Sequence, residues 1–296
     1  MTAAAAKSGP VSRFKLGAIS DGFSQNFDEA LRVMRSYGLM WVEIRQVFGI
    51  YNTEASPAQV RQMKDLVDKY GFRVSVIDSA LYKCTLPGTV PIVKERDSYP
   101  YTSQMELLKR ACDRAHALGA SNIRGFTFWR VAQPGQLTDR IAGELDKAAL
   151  VAQREGMRLA IENEETCNAA TGHELARVLS KAPASNLGAN WDVGNGYWQG
   201  ERSFPDGYNA LDKSRIWHVH LKGVECQPGF KNCSEAFAGQ GENELTAQLR
   251  QFLQDGYNGT MSLECEFEAR ALSHEETTRR SLESLLKAAA RAATSA

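Results

Sequence analysis

An excess of charge of either sign is what this sequence most conspicuously lacks. Its 35 Lys and Arg are matched by 35 Asp and Glu, so the formal net charge is zero. Proteins that hold nucleic acid by neutralising phosphates carry a net positive field or a basic face, so nucleic acid is not an expected partner. Long apolar runs are missing too, because the 43% of apolar residues are interrupted throughout by charge, which argues against a membrane partner. The same fraction is too high for a disordered chain. Histidine is scarce: His116, His173, His218, His220 and His274 are the full set, too few for an imidazole-rich multi-metal centre. Six cysteines (Cys84, Cys112, Cys167, Cys226, Cys233, Cys265) are scattered with no C-x-x-C spacing, so a thiol zinc or redox motif is absent and reduced thiols are expected. The opening MTAAAAKSGPVSRF is too weakly apolar for a secretory h-region. It reads as a flexible tail over residues 1–13, and the expected location is cytoplasmic.

What is present is a rhythm. From Phe14 onward, short apolar runs alternate with longer stretches of helical periodicity, the pattern of βα units and a parallel sheet. Strands are expected at 14–19, 41–45, 73–77, 122–126, 158–162, 187–192, 216–221 and 260–264. Helices are expected at 26–37, after Ser56-Pro57 up to Gly71, at 102–118, 138–155, 172–181, 242–255 and 274–290, with the helical signal weakest after the sixth strand. Ser56 suits an N-cap and Pro57 the first turn, while Gly38, Gly71, Gly119 and Gly156 fall at or near helix ends. The segment 79–101, with Pro87, Gly88, Pro91 and Pro100, is too long for a plain connection, and long βα loops usually build sites. No Pro/Ser-rich linker or charge shift divides the chain. The economical reading is a single-domain α/β fold, a (β/α)8 TIM barrel over residues 14–296.

A barrel of this kind places its site at the C-terminal ends of the strands. Four runs end on ligand-type residues: LAIE on Glu162, ANWD on Asp192, WHVH on His218 or His220, and MSLE on Glu264. Each follows the last by about one βα unit with or without an insertion, so four side chains from successive strands converge. Three carboxylates and an imidazole suit a hard or borderline divalent ion, Mn²⁺, Mg²⁺, Co²⁺ or Zn²⁺. Period-two alternation puts His218 and His220 on the same face of their strand, so parity cannot choose between them.

The segments IENEE, NWDVGN, HVHLKG, GQGENE and MSLE, in this order and spacing, with KLGAIS and WVEIR near the start, resemble the sugar phosphate isomerase/epimerase family of xylose isomerase-like TIM barrels. The resemblance runs from about Lys15 to Leu285. It implies a metal set of Glu162, Asp192, His220 and Glu264 around one divalent ion, with Mn²⁺ first among the candidates. It also implies that Glu162 and Glu264 act as the acid/base pair, one on each side of a sugar. A proton next to a carbonyl is weakly acidic, and a dication on the carbonyl and hydroxyl oxygens would stabilise the enediolate. Relatives of this kind are often oligomeric, so a homo-oligomer is compatible with the resemblance.

The chain departs from the family pattern twice. Asn195 stands where many relatives have a histidine, and Lys222-Gly223 where the motif usually reads Lys-Asp; both changes weaken the case for a multi-metal site. Further substrate-binding candidates are Glu164, Asn195, His218, Lys222, Arg45 and Trp198, with Glu165, Trp129 and Phe128 as additional rim residues. The function expected is a metal-dependent isomerase or epimerase of a small keto-sugar. The runner-up is a lyase or dehydratase on a keto-sugar, keto-inositol or 3-keto-glycoside. A DNA-repair endonuclease, which shares the barrel, would need more histidines and a basic track.

Overall fold

Polar and apolar residues alternate along most of the strands, and closing the sheet sorts them to two sides. The computed structural model describes residues 10–294, so the expected flexibility of residues 1–9 lies outside the described residues. Pro10–Arg13 form a 3-10 turn, and the Arg13 guanidinium donates to the Ala293 carbonyl at 3.0 Å. Eight parallel strands form a closed barrel in chain order: β1 (Lys15–Ile19), β2 (Trp41–Ile44), β3 (Arg73–Leu81), β4 (Asn122–Gly125), β5 (Arg158–Glu162), β6 (Leu187–Asp192), β7 (Ile216–Leu221) and β8 (Thr260–Leu263). Around them run α1 (Phe27–Ser36), α2 (Pro57–Tyr70), α3 (Gln104–Leu118), α4 (Thr138–Arg154), α5 (Gly172–Lys181), α6 (Leu245–Gln254) and α7 (His274–Thr294).

Period two decides which residues meet. Val42, Ile44, Ile123, Leu159, Ile161, Leu187, Ala189, Trp191, Val219, Leu221, Met261 and Leu263 join the apolar layer between sheet and helices. The residues between them, Glu43, Arg124, Glu162, Asn190, Asp192, His218, His220 and Ser262, are therefore on the other face, inside the barrel, and all are buried. Caps set the helix starts. Ser56 and Thr171 each form a reciprocal capping box, with Gln59 and Glu174, and Pro57 occupies the first turn of α2.

Three features differ from the sequence reading. β3 continues to Leu81 past an irregularity in register between Ile77 and Leu81, because Asp78 and Ser79, which look like a strand end, are buried inside the sheet. After β6 only a three-residue helix, Tyr208–Ala210, fills the expected place, since Gly196, Gly200, Pro205 and Gly207 interrupt any helical periodicity. Between β7 and α6 lies an antiparallel hairpin, Gly223–Gln227 with Lys231–Ala236, whose polar strands carry no apolar alternation. That hairpin joins Cys226 to Cys233 in a disulfide, so the expectation of six reduced thiols is corrected for this pair; Cys84, Cys112, Cys167 and Cys265 are free and buried. A spacing of seven residues becomes a bridge only once the two strands are known to pair. Among the described residues no helix is long and apolar enough to cross a membrane.

Close packing makes one barrel glycine indispensable. A Cβ at Gly188 of β6 would lie 2.5 Å from the Arg215 carbonyl oxygen and 2.7 Å from the Trp217 ring. At Gly143, inside α4, it would meet nothing within 4 Å. Gly188→Ala is expected to lower stability by about 1–3 kcal/mol, whereas Gly143→Ala should raise it by about 0.5–1 kcal/mol. Urea unfolding midpoints check both signs, and equal midpoints for the two variants would contradict the packing described.

Candidate metal centre

Asp192 shows how the backbone prepares the site. Its Oδ1 accepts from the backbone N–H of Gly194 and of Asn195, both at 2.8 Å, an Asx-type turn that ends β6 and turns Oδ2 toward the Lys222 ammonium, 3.1 Å away. Asn163, next after Glu162, clamps the neighbouring strand end: its Oδ1 accepts from Asp192 N at 2.8 Å and its Nδ2 donates to Asp192 O at 3.0 Å. Glu264 follows β8 directly and is held through its backbone N–H to Leu221 O at 3.0 Å.

The four side chains converge. His220 Nδ1 lies 3.2 Å from Glu162 Oε1 and 3.1 Å from Glu264 Oε2, and ligand atoms from Glu162, Asp192, His220 and Glu264 all fall within 4.8 Å of one another. Three carboxylate oxygens and one imidazole nitrogen, all buried, fit a divalent ion of the hard or borderline class.

Charge is balanced by cations from other strands. Arg124 of β4 lies 3.1 Å from Glu162, 3.2 Å from Asp78 and 3.6 Å from Glu264. Lys222 Nζ lies 3.1 Å from Asp192 and 3.0 Å from Glu264, and it donates to Asn195 Oδ1 at 3.2 Å. Arg45 pairs with Asp21 at 3.0 Å and reaches Glu264 at 3.3 Å. Burial opposes ionisation of Glu264, but Lys222 and His220 outweigh it and hold this carboxyl well below its usual range. Burial prevails at Asp192, which is pushed up to about 7 despite Lys222. Burial likewise pushes Glu165 and Glu235 up to about 8, with Glu164 adding to the shift at Glu165.

Beside the centre is a cavity of about 560 Å³ lined by Arg45, Tyr51, Lys83, Arg96, Arg124, Trp129, Glu164 and Glu264, among others. Its long wall comes from the loop after β3, where Asp97 anchors the chain by accepting from Thr85 N at 2.9 Å and Trp129 Nε1 at 2.8 Å.

The family model of xylose isomerase-like TIM barrels matches residues 31–288. The chain belongs to this family. No curated protein matches the sequence. Among solved structures, this xylose isomerase-like barrel is similar to the IOLI protein with a bound zinc atom, at TM-score 0.73 and 15% identity over 93% of this chain and 98% of that one. It is similar to a 3-keto-D-glucoside 4-epimerase from E. coli, at TM-score 0.67 and 15% identity over 92% and 98%. A third is a probable 3-DHS dehydratase from Bacillus anthracis, at TM-score 0.67 and 13% identity over 91% and 98%. Identities this low bear on the fold alone.

Of the sequence candidates, the structure brings together Glu162, Asp192, His220 and Glu264, with Asn195, Lys222 and Arg45 around them. Asn195 Nδ2 donates to Asn163 O at 2.9 Å and lies 3.5 Å from Glu162. Glu164 faces the cavity, 3.3 Å from Lys83. Trp129 lines the cavity as well, whereas Trp198 sits partly exposed in the 3-10 turn 195–199 and does not. His218 is not brought to the cavity: its nitrogens meet Glu43 Oε2 at 2.8 Å and Thr260 Oγ1 at 2.7 Å, deeper in the barrel. At Gly223, where the resemblance leads one to expect an aspartate, a Cβ would lie 2.3 Å from the Phe237 carbonyl oxygen, across the start of the hairpin.

Sequence reasoning missed Glu43, Asp78 and Arg124. Each is a charged residue inside an apolar strand, in WVEI, VSVID and NIRG, and in a closed barrel that placement signals an inward charge with an inward partner.

Two outcomes follow from this geometry. Asp192→Asn is expected to weaken Co²⁺ or Mn²⁺ binding at least about tenfold by isothermal titration calorimetry; unchanged affinity would remove Asp192 from the ligand set. The folded protein keeps a proton on Glu235 up to pH about 8, whereas an ordinary glutamate loses it near 4.5. Stability from this group is therefore present below pH 4.5 and lost as pH rises to 8. Glu235→Gln should flatten the fall in urea midpoint between pH 5 and pH 8.5, and an identical fall in both proteins would refute the assignment.

Proposed function

We propose that this chain is a divalent-metal-dependent isomerase or epimerase of a small keto-sugar, working by proton transfer at a carbon next to a carbonyl. The observation that carries this reading is the placement of Glu162 and Glu264, which reach the same His220 nitrogen from β5 and from the end of β8, two strands that do not neighbour each other. Glu264 lines the cavity itself, and Glu162 stands next to it across the His220 nitrogen that both reach. The cavity, at about 560 Å³, is of a size that takes small polar ligands.

Glu162, Asp192, His220 and Glu264 would hold the ion, and a dication there, Mn²⁺ before Mg²⁺, Co²⁺ or Zn²⁺, would act as a Lewis acid toward substrate oxygens. The protein's own groups do the rest. Glu264, kept ionised by Lys222 and His220, is the carboxylate ready to take a proton from carbon. Glu162, which meets the same imidazole nitrogen from β5, is the carboxyl group to return one. Return to the opposite face of the same carbon gives an epimer, and return to the neighbouring carbon gives an isomer. Arg124 and Lys222 present fixed donors near both carboxylates, where charge gathers on the enediolate oxygens. Trp129 and Tyr51 offer apolar ring surface on the cavity wall.

A second reading, a lyase that expels a β-leaving group from the same enediolate, is favoured by one observation. Glu165 directly follows the cavity residue Glu164, and burial, with Glu164 adding to it, pushes its carboxyl up to about 8, so it is a candidate acid for a leaving oxygen.

Incubating Mn²⁺-loaded protein with keto-sugars in D₂O separates the readings. Deuterium at one carbon of recovered epimer or isomer is the expected result. An unsaturated product would replace the isomerase by the lyase. Glu264→Gln should slow exchange by about 10²–10⁴-fold, the usual range for loss of a positioned base.

A further inference from the structure

Beneath the carboxylate centre runs a chain of side chains that the proton-transfer reading does not use. Thr260 Oγ1 lies 2.7 Å from His218 Nδ1, His218 Nε2 lies 2.8 Å from Glu43 Oε2, and Glu43 Oε1 lies 2.9 Å from His220 Nε2. Glu43, His218 and His220 are fully buried and Thr260 is buried. The chain ends at His220, whose other nitrogen, Nδ1, is the one facing Glu162 and Glu264.

We propose that Glu43 is a positioning residue whose carboxylate keeps the proton of His220 on Nε2 and thereby presents Nδ1 to the carboxylate centre as the metal-binding nitrogen. This rests on the metal reading given under the proposed function.

The hydrogen-bonding chemistry allows little else. A carboxylate accepts and does not donate, and each of its oxygens here meets one imidazole nitrogen at hydrogen-bond distance. A bare nitrogen against an anionic oxygen would repel, so both Nε2 atoms carry hydrogen; by the same rule His220 Nδ1 carries one toward Glu162 and Glu264 until an ion takes that place. His218 then has only Nδ1 left as an acceptor, and Thr260 supplies the hydroxyl donor that satisfies it. His218 is thus explained without a ligand role: it holds the second oxygen of Glu43, so the carboxylate cannot rotate away from His220. Asn190 Nδ2 also lies 3.1 Å from His220 Nε2 while its Oδ1 lacks a partner. A half-turn of that amide would bring the unpaired oxygen to the same N–H as a second acceptor.

Glu43, His218 and His220 are also a residue set that could hold an ion of their own. The distances favour the hydrogen-bonded arrangement, because both imidazole nitrogens already contact the carboxylate oxygens at 2.8 and 2.9 Å.

The test uses the full chain with ¹⁵N-labelled histidine, metal-free and with added Zn²⁺, the His220 signals being assigned with His218→Gln. A one-bond N–H correlation at His220 Nε2 is expected in both samples, with the Nδ1 resonance moving when Zn²⁺ is added. Zn²⁺ affinity by calorimetry should fall about 10–100-fold in Glu43→Gln, the range for loss of a group that orients a ligand. It should be partly restored in Glu43→Asp and stay within about threefold of wild type in Thr260→Val. An unprotonated Nε2 in the wild type overturns the proposal. So does a Glu43→Gln protein that melts and binds Zn²⁺ like wild type, or a second zinc equivalent that this variant loses. Should Glu43→Gln fail to fold, the wild-type Nε2 measurement still decides. Should wild type bind no Zn²⁺, Co²⁺ or Mn²⁺, the proposed function fails, while the metal-free Nε2 signal still reports on Glu43 itself.

Discussion

The structure depends on balancing charge inside a closed barrel. Glu43, Asp78, Glu162, Asp192 and Glu264 are all buried, with relative exposures of 2% or less. Two unit charges 4 Å apart interact by about 4 kcal/mol at an effective dielectric of 20, so several such carboxylates would force strands apart if left alone. They are not left alone. Arg124 reaches Asp78, Glu162 and Glu264, Lys222 reaches Asp192 and Glu264, and the two imidazoles take both oxygens of Glu43. At Asp78 burial still outweighs the pull of Arg124 and raises the carboxyl well above its usual range. Removing one partner from a buried pair typically costs about 3–5 kcal/mol, so these residues act as a set.

Strand parity is what makes such a set possible. Alternate residues of β5 to β8, from Leu159 and Ile161 to Val219, Leu221, Met261 and Leu263, join the apolar layer under the helices, and this leaves the positions between them free to carry charge inward. The hydrophobic contribution to stability is thereby made outside the sheet and the chemistry inside it, so neither limits the other. The hairpin after β7 extends the same division. It places Glu235, whose two oxygens accept from Glu266 N at 3.1 Å, two residues beyond Glu264, and the Cys226–Cys233 bridge joins its strands.

Much of this was legible in the sequence, for physical reasons. The βα rhythm is local and periodic, so β5, β6 and β7 match their expected bounds to the residue, and the four strand-end ligands follow from where apolar runs stop. Partners across the barrel were not legible. Arg124 and Glu162 are 38 residues apart and His220 and Glu43 are 177 apart, and no local pattern reports a contact of that kind. Glu43, Asp78 and Arg124 were overlooked because a charge within an apolar strand looks like an interruption, although in a closed barrel it marks the interior. The hairpin and its disulfide were missed for the opposite reason, since KNCSEA has no alternation to distinguish it from a loop.

His218 and His220 show how much a closed barrel adds to parity. Residues two apart on a strand face the same way but are separated by about 6.6 Å along it. In an open sheet that difference would leave two similar neighbours. Inside the barrel, it places them at two depths with different company. His220 stands level with Asp192 in the strand register, and His218 with Asn190 and Thr260. The upper imidazole therefore meets carboxylates on one side and Glu43 on the other. The lower one meets Glu43 and a hydroxyl, and no second carboxylate is within its hydrogen-bond reach. One motif, His-Val-His, thus yields an imidazole at the carboxylate centre and a second one beneath it, and among the described residues Glu43 alone has an oxygen for each.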